Sequence, residues 1–379
     1  MEVDNLSKLL KSGATINKEM FDVLNRFKID IQNKNIITVL NSIMNEFNII
    51  SKEYLNSKVI TDISSSIVTD KINLNVYGGD NINYQTEFDI ASVSKLFTLV
   101  LIINYINNGI FNLNDKVCDI DSKFKNLDYT ILDLIKMCGM IETDKRIDET
   151  TNYNEAVNIL YSVHPVNYDK LVNNYTDIGF MVLSKIIEDL TNIPFKDIII
   201  NFYKKYGIEI NQMKDIIGNG YNDLYPHDPK ARIMGLIGSA GVFINSINMD
   251  IFSDKLINNE IISEYYLDKL SNKLFEFNHP NKGYGGIYIK HPLGIKKTST
   301  PLEYSKYAFS HQGYTGSCII IDPYLKIHNN ILVSAIKENK KKDIYFYKYF
   351  NEFHEKLVLL TLKTYLIDSD VFIKIKRKI

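Results

Sequence analysis

The stretch EFDIASVSKLFTLVLIINYINNG, residues 87–109, sets two serines and one lysine at the mouth of an unusually apolar run. The run closes on Asn107-Asn108-Gly109, a helix-stop signal. On a helix, Ser92 and Lys95 are three apart and share a face, whereas Ser94 and Lys95 are adjacent and diverge. The pair to consider is therefore Ser92 with Lys95. An alcohol of ordinary basicity attacks a carbonyl poorly and needs a proton acceptor against its hydroxyl. A lysine can serve if it is neutral. Burial among Ile90, Val93, Leu96 and Phe97 would favour that form, lowering an ammonium's pKa by as much as about 3 to 5 units. The helix N-terminus adds partial positive charge that suits an oxyanion at Ser92.

The bare Ser-x-x-Lys spacing is cheap in a lysine-rich chain, and it recurs at Ser122 to Lys125 and at Ser334 to Lys337. Ser122 lies in the polar run DIDSKFKNLD, and Ser334 precedes the charged run KENKKKD, so neither offers a buried lysine. Read as structure alone, Ser92 is a helix N-cap, a role serine fills well. Two later segments change the weighting. NNYTDIGFMVLSKIIEDL places Tyr175 and Asp177 on a loop entering an amphipathic helix, although Tyr-x-Asn/Asp also occurs at Tyr54, Tyr105, Tyr221, Tyr266 and Tyr349. FSHQGYTGSCIIIDP places His311, Gln312, Gly313 and Tyr314 at a strand edge before an apolar strand. Taken singly, these are a core tyrosine, turn glycines and a surface histidine.

Around these motifs the pattern alternates in class. Residues 1–57 show helical periodicity, as in MFDVLNRFKIDI and NIITVLNSIMNEF, and read as a helical extension packed on the sheet domain. Residues 59–77 are β-rich and broken at Thr69-Asp70-Lys71, which predicts a hairpin. Helical patterns then dominate to about residue 221, and GYGGIYIK, YAFSHQG, SCIIID and HNNILVSAI restore strand character before a closing helix, DIYFYKYFNEFHEKLVLLTLKTYLI. Strands at both ends with helices between imply an α/β (α+β) fold, a mixed, mainly antiparallel sheet carrying an inserted all-helical domain. The expected division is 58–98 with 225–379 for the sheet domain and 99–224 for the helical one.

Composition bounds the rest. The chain of 379 residues is 45% hydrophobic and large enough for a sizeable core. With 44 basic and 45 acidic side chains its net charge is -1, so no field steers it toward nucleic acid or an anionic membrane. Cys118, Cys138 and Cys318 are odd in number and far apart, unlike a disulfide framework or a zinc site. The start MEVDNLSKLLKSGATINK has no continuous apolar core, and LVLII is far too short to cross a bilayer, so a cytoplasmic protein is expected. His227 and Asp228 in HDPK lack further ligand spacing and read as a structural loop leading into GLIGSAGVF. No metal and no cofactor are expected.

Together, SVSK at Ser92, YTD at Tyr175 and HQG at His311 resemble the serine β-lactamase and penicillin-binding superfamily, most closely its class C β-lactamase, D,D-peptidase and carboxylesterase branch. The flanking phrases FDIASVSKLFTLV, YTDIGFMVLSKIIEDLTNIPF and YPHDPKARIMGLIGSAGVF look like that family over roughly residues 58–340. The resemblance implies Ser92 as the acylated nucleophile, Lys95 as its proton partner and Tyr175 as general base and later donor. It also implies that Asp177 holds Lys95 and substrate, that His311 stands where the family often has lysine, and that Gly313 lets substrate approach. Ser92 and Tyr314 would offer backbone N–H groups to the oxyanion, with Gln312 beside them. Asp177 would keep Lys95 protonated and shift the base role to Tyr175. Two departures, His311 for lysine and Asp177 for the frequent asparagine, argue against efficient penicillin hydrolysis. The implied activity is cleavage of an ester or amide of a small molecule or short peptide. An acyltransferase or D-amino-acid peptidase on the same site, or a catalytically silent scaffold, are the alternatives.

Overall fold

The hairpin forms as the sequence expects: β1 (Ile60–Val68) and β2 (Ile72–Gly78) run antiparallel, joined across Thr69–Lys71. Before them, α1 (Ile36–Asn56) starts at Asn35, whose side chain accepts the Ile37 N–H at 2.8 Å. In a computed structural model, residues 8, 11–12, 21–27, 35–138, 140–167, 175–212, 227–271, 304–305, 307–335, 343–367 and 373–378 are described. The segment GYGGIYIK and the lysine run 337–342 lie outside them.

After the hairpin, α2 (Ser94–Asn107) is buried along its length from Ser94 to Ile103, as an all-round apolar helix must be. It stops where the sequence says: Gly109 takes φ 68°, and the Gly109 N–H donates to Ile106 O at 2.9 Å. Then come α3 (Ile178–Thr191), α4 (Pro229–Met234) and α5 (Ser246–Ile257). The chain returns to the sheet as β3 (Phe309–Gln312), β4 (Cys318–Asp322) and β5 (Ile327–Ala335), followed by α6 (Asp343–Leu366) and β6 (Ile373–Lys378).

The six strands lie in the order β6-β2-β1-β5-β4-β3. All neighbours are antiparallel except β6, which runs parallel to β2. Here two expectations need correcting. Helix α6 does not close the chain, because IKIKRK adds an edge strand; its charge density hides a strand from a search for apolar runs, yet charge is what an edge tolerates. The inserted segment is not purely helical either, since Met140–Glu142 pairs antiparallel with His164–Asn167. These strands of three and four residues are too short to carry a period-2 signal.

Strand alternation divides the core in two. On β4, Ile319 and Ile321 join α2, α3 and α5 on one face, while Cys318 and Ile320 join α1 and α6 on the other. Tyr54 of α1 stacks on Phe353 of α6 with ring centroids 4.6 Å apart, so the N-terminal helix and α6 cover one face of the sheet together. The opposite face carries α2, whose first turn opens beside β3, the edge strand.

Candidate active site

Ser92 sits in the 3-10 turn Ala91–Val93 that leads directly into α2. The turn is tied down from three sides. Phe88–Asp89 pairs antiparallel with Phe243–Ile244, and the Ile90 N–H donates to Val242 O at 3.2 Å. Asp89, 2% exposed, accepts the Ala91 N–H at 2.8 Å and, through its other oxygen, the His227 backbone N–H at 2.9 Å; that oxygen lies 2.8 Å from His227 Nδ1. Burial would raise the Asp89 carboxyl, but His227 and the backbone donors hold it below its ordinary value. Ala91, fixed by this network, takes φ 49°, a left-handed conformation that costs a non-glycine residue roughly 1 kcal/mol or more. Strain thus stands one residue before Ser92. The sequence read His227 and Asp228 as a structural loop, and His227 does serve to anchor this turn. Among the described residues no group of three or more His, Cys, Asp or Glu side chains is placed to hold a metal ion.

The two serines separate as the helix argument requires. Ser94 Oγ turns inward and accepts the Val242 N–H at 3.2 Å. Ser92 Oγ instead accepts from Lys95 Nζ at 3.0 Å. Of the other two Ser-x-x-Lys matches, Ser122 and Lys125 are exposed, and Ser334 lies near the end of β5 while Lys337 lies outside the described residues.

Lys95 is fully buried. Its ammonium spends all three N–H groups: on Ser92 Oγ, on Asp177 Oδ1 at 2.7 Å and on Ser239 O at 3.2 Å. Burial alone would push this lysine down, but the Asp177 carboxylate outweighs it and holds Lys95 above its ordinary value. The neutral lysine that burial first suggests is therefore replaced by a charged one. Tyr175 lies across it, with Nζ 5.0 Å from the ring centroid. Asp177 begins α3 without capping it, because its carboxylate reaches Lys95 instead. Burial would raise Asp177, yet Lys95 and Lys230 hold it well below the ordinary carboxylate range. The two groups support the fold over opposite ends of the pH scale. Lys95, raised, contributes fully below the ordinary lysine pKa and loses that contribution only as pH rises through its higher folded value. Asp177, lowered, contributes above the ordinary carboxylate pKa and loses it as pH falls through its lower folded value.

Strand β3 completes the arrangement. His311 is 1% exposed; its Nδ1–H donates to Gln312 O at 2.9 Å, and its Nε2 has no hydrogen-bond partner among the described residues. Burial and the nearby Lys95 ammonium push its pKa down to about 3, so the imidazole is neutral. Gly313 is required by contact: a Cβ there would meet Ile90 O at 2.3 Å and Ala91 Cβ at 3.0 Å. Its N–H donates to Ser317 O at 2.7 Å, and Thr315 Oγ1 donates to Asp89 O at 2.7 Å, locking the Tyr314 loop against the serine turn. Tyr314 itself is exposed and stacks on His227, with centroids 5.5 Å apart. Gly313→Val is expected to force β3 away from Ala91 and to slow covalent labelling of Ser92 at least about tenfold. A fluorophosphonate time course checks it.

The structure thus brings Ser92, Lys95, Tyr175 and Asp177 into one cluster and seats His311 and Gly313 beside it. Sequence reading missed Lys230, which pairs with Asp177 Oδ2 at 3.1 Å, and Ser239, which contributes through its backbone oxygen. Lys230 stood in HDPK, where the loop reading absorbed it; a backbone acceptor leaves no side-chain signature at all. A cavity of about 650 Å³, lined by Tyr153, Lys185, Glu188 and Arg232 among others, includes none of the clustered residues. A cavity of about 460 Å³ does reach them, through Thr176, Asp177 and Lys230.

Residues 67–202, from β1 through Ser92, Lys95, Tyr175 and Asp177, match the Beta-lactamase family model. The sequence match is to this part of the chain, and the fold is similar to that of class C β-lactamases and penicillin-binding proteins. A class C β-lactamase superposes with a TM-score of 0.64 at 14% identity, covering 81% of this chain and 95% of that one. A β-lactamase/D-alanine carboxypeptidase from Pseudomonas syringae gives 0.63 at 14% identity over 81% and 98%. A penicillin binding protein from Bacillus halodurans gives 0.58 at 16% identity over 76% and 94%. No curated protein matches the sequence significantly. Among the described residues no helix is long and apolar enough to cross a membrane. Strand β3 carries His311, the 3-10 turn carries Ser92 and the first turn of α2 carries Lys95.

Proposed function

We propose that this chain is a serine hydrolase that forms an acyl-enzyme at Ser92 on a small, uncharged ester or amide. The observation that carries the reading is the buried Lys95 ammonium, 3.0 Å from Ser92 Oγ and 2.7 Å from Asp177. A fully buried charge is costly unless it is paired, and one aimed at a serine hydroxyl is a poor choice for a merely structural helix start.

Because Lys95 donates to Ser92, it cannot take the serine proton. That role falls to Tyr175, as phenolate, with the ammonium beside its ring offsetting the negative charge. Ser92 Oγ attacks the substrate carbonyl carbon, and its proton passes to the Tyr175 oxygen. The carbonyl π pair moves to oxygen, where the Ser92 and Tyr314 N–H groups receive it; one such donor is worth about 10²- to 10³-fold in rate. Collapse expels the alcohol or amine, which takes the proton from Tyr175. Water then attacks the acyl ester, giving its proton to Tyr175; collapse releases the acid, and Tyr175 returns the proton to the departing Ser92 Oγ. Asp177 keeps Lys95 charged throughout, while Gly313 and Gln312 form the wall against which substrate lies.

His311 narrows the substrate. A neutral, buried imidazole supplies an acceptor and no cation, so a carboxylate next to the scissile bond has no permanent positive partner on β3. Turnover of short-chain p-nitrophenyl esters and anilides is expected to exceed that of benzylpenicillin by at least about 10²-fold in kcat/KM. Faster penicillin hydrolysis would overturn this substrate class. Transfer of the acyl group to an added amine or alcohol in preference to water would make the same site an acyltransferase.

A further inference from the structure

We infer that Lys230 is a positioning residue of this site, one that holds the Asp177 carboxylate in the orientation that keeps Lys95 directed at Ser92. The inference rests on the hydrolase reading for its kinetic consequence, though not for its electrostatic one. Asp177 accepts from two ammonium groups, one per oxygen: Lys95 Nζ at 2.7 Å on Oδ1 and Lys230 Nζ at 3.1 Å on Oδ2. Lys230 in turn bonds Asp228 Oδ2 at 3.1 Å, and Asp228 caps α4 by accepting the Lys230 N–H on Oδ1 at 2.8 Å. The result is an alternating chain of charge, Asp228, Lys230, Asp177, Lys95, ending on Ser92 Oγ.

The geometry gives this chain a purpose. Asp177 makes no helix cap and sits at the end of a loop, so nothing in α3 fixes its side-chain rotamer. Lys95 alone would fix one oxygen. Lys230, 20% exposed on a helix whose cap pins its backbone, fixes the other and removes the freedom of the carboxylate to rotate away. It also lines the 460 Å³ cavity together with Asp177, Arg146, Asp148 and Thr176. The groups facing the Asp177 carboxylate are Lys95, Lys230, Tyr175 and His311, with Asp228 behind Lys230 and Asp148 across the cavity. Removing Lys230 takes one cation from this set and leaves the anions, so Asp177 should bind a proton at higher pH.

The test compares wild type, Lys230→Met and Lys230→Arg by two readouts. The first is the rate at which a fluorophosphonate labels Ser92 as a function of pH. Lys230→Met is expected to label about 10- to 100-fold more slowly, with the acid limb of its profile moved to higher pH, and Lys230→Arg is expected to recover most of the loss. Equal rates in all three proteins, or an equal loss in both variants, overturns the inference. The second is carboxyl ¹³C NMR titration of Asp177 in the same folded proteins, which needs no activity. A higher midpoint in Lys230→Met, restored in Lys230→Arg, supports the inference; an unchanged midpoint overturns it. Should wild type itself resist labelling, the hydrolase reading fails and the titration alone decides the role of Lys230.

Discussion

Ser92→Ala is expected to abolish ester turnover, by on the order of 10⁴-fold or more, while leaving the fold and the melting temperature nearly unchanged. The side chain lost is one hydroxyl that accepts a single hydrogen bond from Lys95, and Lys95 keeps Asp177 and Ser239 O as partners. The asymmetry between rate and stability is the informative part. A serine that only started α2 would cost stability on truncation, about 1 kcal/mol for a lost cap, and would cost no catalysis. Ser92 makes no such cap, since the first turn of α2 is approached through Val93 without a side-chain hydrogen bond. Stopped assays on a p-nitrophenyl ester, beside thermal unfolding of both proteins, read the two effects together.

Asp177→Ala carries the largest expected loss of stability. It would strand the Lys95 ammonium, which has no exposed surface, against one hydroxyl and one carbonyl. Breaking a buried ion pair from one side costs about 3–5 kcal/mol. Asp177 keeps 27% of its side chain exposed and shares its charge with Lys230, so water screens part of the pair and about 3 kcal/mol is the expected loss. The double variant Lys95→Met, Asp177→Ala removes the orphaned charge and should regain most of this stability without regaining activity. Denaturant unfolding of the wild type and the two variants checks the comparison. The single variant's deficit should persist from about pH 5 to pH 9, because the contribution of Asp177 fades only in acid and that of Lys95 only in strong base.

Much of this was legible in the residues. Helix α2 announced itself through an apolar run, a glycine stop and a serine three residues before a lysine, all consequences of local geometry. The hairpin β1–β2 was legible from two β-rich segments broken at Thr69-Asp70-Lys71, and strands β4 and β5 from their apolar Ile, Leu and Val residues. The Ser92–Lys95 pairing could be argued from helical spacing alone. Its protonation state needed the resemblance, which set Asp177 beside Lys95 from 82 positions away; the Ser239 O acceptor was not foreseen. Ala91 at φ 49° was invisible for a related reason: nothing in the letter alanine signals a left-handed turn that Asp89 and His227 impose. Lys230 shows the limit most plainly. One lysine among 44 basic side chains carries no mark of its role until the fold sets it 3.1 Å from a carboxylate that another lysine already holds.

Strand β6 illustrates a different limit. Its Lys-rich alternation suits an edge, where half the backbone faces solvent, and so it lacks the apolar density by which the interior strands are found. His311 combines both difficulties. By composition it was a surface histidine, and only the closure of β3 against the serine turn removes it from water and leaves it neutral.

The most direct test of the central claim is peptide mapping by mass spectrometry after brief exposure of the wild-type protein to a fluorophosphonate at neutral pH. A single adduct on Ser92, suppressed by excess p-nitrophenyl ester, is the expected result. An unmodified protein, or an adduct on any serine other than Ser92, would contradict the account.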